Sequence, residues 1–261
     1  MLKDITLGQY FPGDTAIHRL DPRTKIIWVI AYLVALFNAS TWAEYAVMIL
    51  ITAVCMFTAH ITPKHILSGL KPLILIMVLT SVLNIFYTQG TPVRPGWHIT
   101  YEGIYQAVRM ILRILLLITA TFMLTYTTSP MALTDGLEKL MNPLKKLKVP
   151  VHEMSMMMSM ALRFIPTLVE ETNKIISAQL ARGADFESGG MIQRAKALLP
   201  ILVPLFISSF RRADELAVAM ESRCYHGGEG RTRMKIMKLG TADYVALFLA
   251  AVMLTVIFIM K

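Results

Sequence analysis

"SMALRFIPTLVEETNKIISAQLARGADF", residues 159–186, carries the pattern that decides the fold. Its apolar residues Leu162, Ile165, Val169 and Ile176 recur at spacings of three, four and seven, which marks one face of a helix. Glu170, Glu171, Asn173 and Lys174 fill the other side. The helix is long, half apolar and half wet, and closes on Ala181-Arg182-Gly183. "ESGG", residues 187–190, then breaks the chain. A second helix of the same kind is expected from Ile192 to Arg223, apolar through "ALLPILVPLFISSF" and charged through "RRADELAVAMESR". Pro200 and Pro204 should kink it, and it closes on Ser222-Arg223-Cys224. Two long amphipathic helices, each ending in an arginine between small residues, are the feature that the remaining sequence must explain.

The chain around this pair has the composition of a membrane protein. Of 261 residues 55% are apolar, too many for an ordinary soluble domain. Apolar runs lie at Ile26–Phe37, Tyr45–Ala59, Leu73–Tyr87, Ile104–Tyr126 and Ala242–Met260. A bilayer core needs about 20 helical residues, which the fourth and fifth runs supply and the first three approach. The first run spans only if it continues through "NASTW" or tilts little; a re-entrant or interfacial segment is the alternative. The expected fold is an all-α polytopic membrane protein, with about five transmembrane helices plus the two long helices. Residues 1–127 hold the N-terminal segment and the first four spans, 128–240 the long-helix region, and 241–261 the last span. Within 128–240, "SPMALTDGLEKLMNPLKKLKVP" reads as a short amphipathic helix stopped by Pro143 and followed by a basic linker.

The net charge of +9 is first a topology signal. Lys3, Arg19, Arg23 and Lys25 precede the first run, Lys64 and Lys71 lie in 60–71, and most remaining cations lie in 128–240. Residues 38–44 carry none and 89–103 only Arg94. The consistent solution places the N-terminus, 60–71 and 128–240 in the cytoplasm. The loop with Trp97 and Tyr101, and Lys261, then face outward. The first 25 residues are polar, so no cleavable signal is expected.

Several function classes lack their residues. There is no phosphate-cradling G-x-x-x-x-G-K-[ST], no H-E-x-x-H, no nucleophile elbow and no cysteine–histidine cluster. Cys55 and Cys224 make no disulfide framework, and the histidines are scattered, so neither a metal nor a cofactor is expected. No nucleic-acid partner is expected either. The spans hold almost no ionisable residue, which opposes a proton-coupled secondary transporter. Arg109 and Arg113 are the exception, four apart on one face. Either they snorkel to water or they line an interior face, with Glu44 and Glu102 as candidate carboxylate partners.

The run "EMSMMMSM", with Met156, Met157, Met158 and Met160, either fills a core at the membrane surface or forms a surface that repacks against different partners. The arginine ends also admit two readings. A cation in the last turn suits the helix dipole, and Gly183 can take the left-handed cap position. Arg223 is followed by "CYHGG", so its glycine cap is expected later. Alternatively, both ends project an arginine into a partner's pocket, where it pairs bidentately with a carboxylate.

Three stretches together carry a family resemblance: "DITLGQYFPGDTAIHRLDPRTK", the 159–186 stretch, and "RRADELAVAMESRCY". In that order, with apolar runs between, they resemble the transmembrane T component of energy-coupling factor (ECF) transporters, prokaryotic importers of vitamins and trace metals. The match covers nearly the whole chain, and its opening stretch is similar to the shared, housekeeping type. The resemblance implies two coupling helices that cross on the cytoplasmic side of the cell membrane. It implies that Ala181-Arg182-Gly183 and Ser222-Arg223-Cys224 each dock into one of two homologous ABC-type ATPase subunits. The second motif departs from the usual Ala-Arg-Gly or Ala-Arg-Ala. A separate, interchangeable S component binds the substrate. Met156, Met157, Met158 and Met160, with Pro200 and Pro204, are the residues expected to seat it. On this reading the chain is a non-catalytic coupling scaffold that transmits ATPase closure to the S component. A self-sufficient secondary transporter and an integral-membrane enzyme are the competing readings.

Overall fold

Asp21 and Pro22 start the first long helix in two ways at once. The Asp21 carboxylate accepts the amide of Arg23 at 2.9 Å, and proline at the first helical position presets φ. The computed structural model describes residues 10–92, 99–186, 190–228 and 237–260, and among these the architecture is helical. In chain order the helices are α1 (Ala16–Arg19), α2 (Pro22–Asn38), α3 (Trp42–Thr58), α4 (Pro63–Leu70), α5 (Ile74–Tyr87), α6 (Tyr101–Thr127), α7 (Pro130–Met141), α8 (Val151–Ala181), α9 (Met191–Ser222) and α10 (Thr241–Met260). An isolated antiparallel bridge joins Pro92 to Thr100. Lys3, Arg94, Trp97, the break at Glu187–Gly189 and Lys261 lie outside the described residues. The contacts divide the chain into two units, residues 10–136 with 237–260, and residues 137–228.

In the first unit α2, α3, α6 and α10 share a core of Tyr32, Leu36, Tyr45, Met48, Leu116 and Ile257, with Ala35, Ala120 and Ala250 at the close approaches. A polar layer ties three of these helices at one end. The Asp21 and Gly240 amides both donate to the Asp243 carboxylate at 2.8 Å. Buried Lys25 donates to the Thr127 carbonyl at 2.8 Å and to the Thr128 hydroxyl at 3.2 Å. The starts of α2 and α10 and the end of α6 therefore share one level. From it the 17 residues of α2 rise about 25 Å and the 27 of α6 about 40 Å, so the α2–α3 turn meets α6 partway along.

The five apolar runs correspond to α2, α3, α4–α5, α6 and α10, with two changes. The first run does not continue through "NASTW". α2 ends at Asn38, and a capping box of Thr41 and Glu44 starts α3. Residues 60–71, expected as a loop, form α4 and run on through a 3-10 turn (Lys71–Leu73) into α5. Ile66 and Leu70 are buried against Tyr126, and Gly69 lets the Phe122 ring approach, since a Cβ there would sit 2.3 Å from the ring and force it to shift. The amphipathic helix before Pro143 stops as expected, α7 ending at Met141, and the basic stretch after it forms a second 3-10 turn, Asn142–Leu147.

Among the described residues, four helical segments are long and apolar enough to cross a bilayer: Ile66–Tyr87, Tyr101–Thr127, Ile192–Ser222 and Thr241–Met260. The third is most of α9, read from the sequence as half wet; its apolar half carries it over the threshold.

In the second unit α8 and α9 run antiparallel. Gln179 Nε2 donates to the Pro200 carbonyl at 3.4 Å. Farther along, Ser208 Oγ and Arg212 Nη2 both donate to the Glu171 carboxylate, the latter at 2.8 Å. Farther still, Met156 and Met160 face Leu216 and Met220 across a cavity. Each helix is thus paired along its length, despite Pro166, Pro200 and Pro204 within them. The C-terminal end of each lies beside the N-terminal part of the other.

Candidate functional site

Both arginines occupy the same station on the same kind of helix end. At the end of α8 the Ala184 amide donates to the Gln179 carbonyl at 3.0 Å and the Gly183 amide to the Leu180 carbonyl at 2.9 Å. At the end of α9 the Tyr225 amide donates to the Met220 carbonyl at 3.0 Å and the Cys224 amide to the Glu221 carbonyl at 2.9 Å. Both are Schellman turns, with Arg182 and Arg223 as the C-cap residues. The residue after each arginine is left-handed: Gly183 at φ +83° and Cys224 at φ +56°. The second end therefore does not wait for the glycines of "CYHGG". Cys224 takes the cap itself, at a conformational cost of about 1–2 kcal/mol for an L residue. Gly183 is explained by its φ rather than by crowding, since nothing lies within 4 Å of where its Cβ would be.

Each guanidinium is exposed and has no ion pair or hydrogen bond with another described residue. The small side chains of Ala181, Ser222 and Cys224 leave it clear. Such an end offers a fork of donors for a carboxylate, from a helix terminus whose dipole favours the cation. Because the helices are antiparallel, the two ends lie at opposite ends of the pair, roughly 40 Å apart at 1.5 Å per residue.

The ends differ in their support. Beyond α9 the chain folds back, so that a Cβ on Gly228 would sit 2.5 Å from the His152 ring. His152 Nδ1 is 3.3 Å from Glu138 Oε1, and Ser155 Oγ donates to Glu138 Oε2 at 2.6 Å. Arg223 borders a cavity of 440 Å³ lined also by Met156, Met160, Leu216, Met220 and Tyr225. The Glu171 carboxyl in mid-pair is held below the usual carboxylate range, first by the Ser208 hydroxyl and then by the Arg212 guanidinium.

The residues expected to seat a partner do not form one surface. Met156 and Met160 turn toward the Arg223 end, whereas Met157 and Met158 are 59% and 44% exposed. Pro200 and Pro204 lie toward the other end, Pro200 beside Gln179. Around them Leu199, Val203, Phe206 and Phe210, all within the apolar stretch "ALLPILVPLFISSF", form an exposed stripe on α9. Their spacing of three and four was its legible signal.

Arg109 and Arg113 also find partners other than those expected. Arg113 donates to Tyr45 Oη at 3.1 Å and to the Ala39 carbonyl at 3.0 Å, and Arg109 donates to the Ser40 carbonyl at 2.9 Å. Glu44 instead accepts from the Ser40 and Thr41 amides, and Glu102 from the Thr91 amide and hydroxyl. The arginines hold the end of α2, where carbonyls lack helical partners.

A family model described as "CbiQ: Cobalt transport protein" matches residues 13–235. The chain is 51% identical over 264 aligned positions to "Energy-coupling factor transporter transmembrane protein EcfT" of Ruminiclostridium cellulolyticum, covering 100% of this chain and 98% of that one. It is 52% identical to the protein of the same name from Thermosediminibacter oceani, covering 98% and 97% of the two chains. Against its namesake in Bacillus subtilis the identity is 48%, over 90% of each chain.

Proposed function

This chain belongs to the family of energy-coupling factor transporter transmembrane proteins, multi-pass membrane components of a transporter, and we propose that it is the non-catalytic coupling subunit of an ATP-driven vitamin or micronutrient importer. Arg182 and Arg223 each enter a groove on one of two homologous ABC-type ATPase subunits. A separate S component carries the substrate and rests in part on the apolar stripe of α9. The N-terminus is cytoplasmic, and the chain serves exchangeable S components, as the housekeeping type does.

The observation that carries this reading is the pair of matched helix ends. Two unrelated stretches of sequence build the same turn, one of them with a left-handed cysteine, and each leaves an arginine without a described partner. Capping and the helix dipole account for each turn and for a cation near it, but not for both ends setting that arginine exposed between small residues. A separation of roughly 40 Å suits two receptors rather than one. When ATP draws two subunits together, ends seated in both must move with them, and the antiparallel pair carries that movement to the apolar stripe.

Arg182→Glu with Arg223→Glu in one chain tests this. Removing a buried charge pair and leaving its partner carboxylate unpaired costs about 2–5 kcal/mol per site. The expected result is loss of the ATPases on purification, or hydrolysis no longer coupled to uptake. A double variant that assembles and transports normally contradicts the proposal.

A further inference from the structure

The turn between α2 and α3 is held by cations whose acceptors are all neutral: the Ala39 and Ser40 carbonyls and the Tyr45 hydroxyl. The Nε of Arg109 is buried and has no partner among the described residues. Its guanidinium lies 4.7 Å over the Tyr105 ring, and Trp42 packs edge-on against that ring at 4.8 Å. Measured from Thr127 at about 1.5 Å per residue, Arg113 lies about 21 Å and Arg109 about 27 Å along α6. A hydrocarbon core about 30 Å thick that begins level with Thr127 ends just beyond Arg109. That is the depth of glycerol and phosphate groups, and Trp42, Tyr101 and Tyr105 are partly or largely exposed there, as interfacial aromatics are. The acceptors of these cations are neutral, and the buried Glu44 carboxylate at the same turn accepts from the Ser40 and Thr41 amides, so guanidinium donors are left for a further anion, and their fork matches phosphate oxygens.

We propose that Arg109, with Arg113 beneath it, binds the phosphate of one phospholipid in the leaflet at the α2–α3 end of the bundle, with Tyr105 and Trp42 against its glycerol region. The site rests on the membrane-spanning bundle and not on the ATPase-docking reading, so either can fail alone.

Native mass spectrometry of the purified complex, titrated with dioleoyl phosphatidylglycerol, tests it. Dioleoylglycerol, which lacks the phosphate, and inorganic phosphate serve as comparison probes. One phosphatidylglycerol should bind in preference to dioleoylglycerol. Arg109→Gln should weaken that binding about tenfold, equivalent to one charge-assisted contact, and Arg109→Lys less. In lipid-free detergent Arg109→Gln should lower the thermal midpoint by the lost bond to the Ser40 carbonyl, and the further upward shift that phosphatidylglycerol gives wild type should disappear in the variant. Equal binding of the two lipids, or an undiminished phosphatidylglycerol adduct in Arg109→Gln, overturns the proposal. Competition by inorganic phosphate at equal concentration would assign the site to a free anion. Loss of the S component from Arg109→Gln with lipid binding intact would assign it to an acidic protein segment. Either result overturns the lipid assignment.

Discussion

At Cys224 a side chain stands where glycine stands at the matching position of the other helix end. The φ of +56° costs a β-carbon-bearing residue about 1–2 kcal/mol, and at Gly183 no such cost arises. Cys224→Gly should therefore raise the thermal midpoint of the purified protein, by the equivalent of about 1 kcal/mol, with transport retained. Gly183→Ala should lower it by a similar amount, although the methyl group meets nothing. The cysteines should also separate chemically. Cys224 is exposed and Cys55 lies half-buried within α3, so a membrane-impermeant maleimide should label Cys224 alone in detergent. Assembly with the ATPases should protect it, and equal labelling with and without them would deny that this end is covered. Residue roles were unevenly legible. Arg182 with Gly183 could be read because glycine advertises a left-handed cap. Cys224 gave no such notice, since cysteine has no bias toward positive φ. Arg109 and Arg113 could be noticed but not assigned. Their acceptors are two backbone carbonyls and the Tyr45 hydroxyl, about 70 residues away, and a carbonyl has no sequence signature.

Among elements, the antiparallel α8–α9 pair is pinned in mid-length by Glu171 with Ser208 and Arg212. The lowered pKa of Glu171 gives this pin a pH dependence. Its stabilisation is present above the ordinary carboxylate range and is lost as pH falls through the lower folded-state value. The thermal midpoint of wild type should exceed that of Glu171→Gln at neutral pH. The difference should be small because both partners are partly exposed, and it should shrink with acid and with salt. A difference that persists at acid pH would assign the role of Glu171 to packing instead. The register of α8 was legible from Leu162, Ile165, Val169 and Ile176, whose spacing admits only a helix. The break after Asn38 had a signal that went unread, Thr41-x-x-Glu44, a capping box inside an apolar context. The helical course of 63–73 was not. Its two lysines suggested a loop, while Ile66, Leu70 and Gly69 show their role only against Tyr126 and Phe122.

For the whole molecule, an all-α membrane protein with two amphipathic helices followed from composition and period alone. How those helices pair did not, because no residue in α8 names its neighbour in α9. The pairing is what sets the two arginines at opposite ends, and it also divides the methionines from the prolines along the pair. A coupling subunit has no transport of its own. Proteoliposomes holding this chain and an S component should show no uptake under any ion gradient until ATPases and ATP are supplied; gradient-driven uptake would return the chain to the secondary transporters. The central claim is that each arginine end is held by a different ATPase subunit. Its most direct measurement is photo-crosslinking from a reactive residue placed just past each turn, at Ala184 and, separately, at His226 in the assembled complex. Ala184 should crosslink to one ATPase and His226 to the other; crosslinks from both positions to the same ATPase, or to neither, would contradict it.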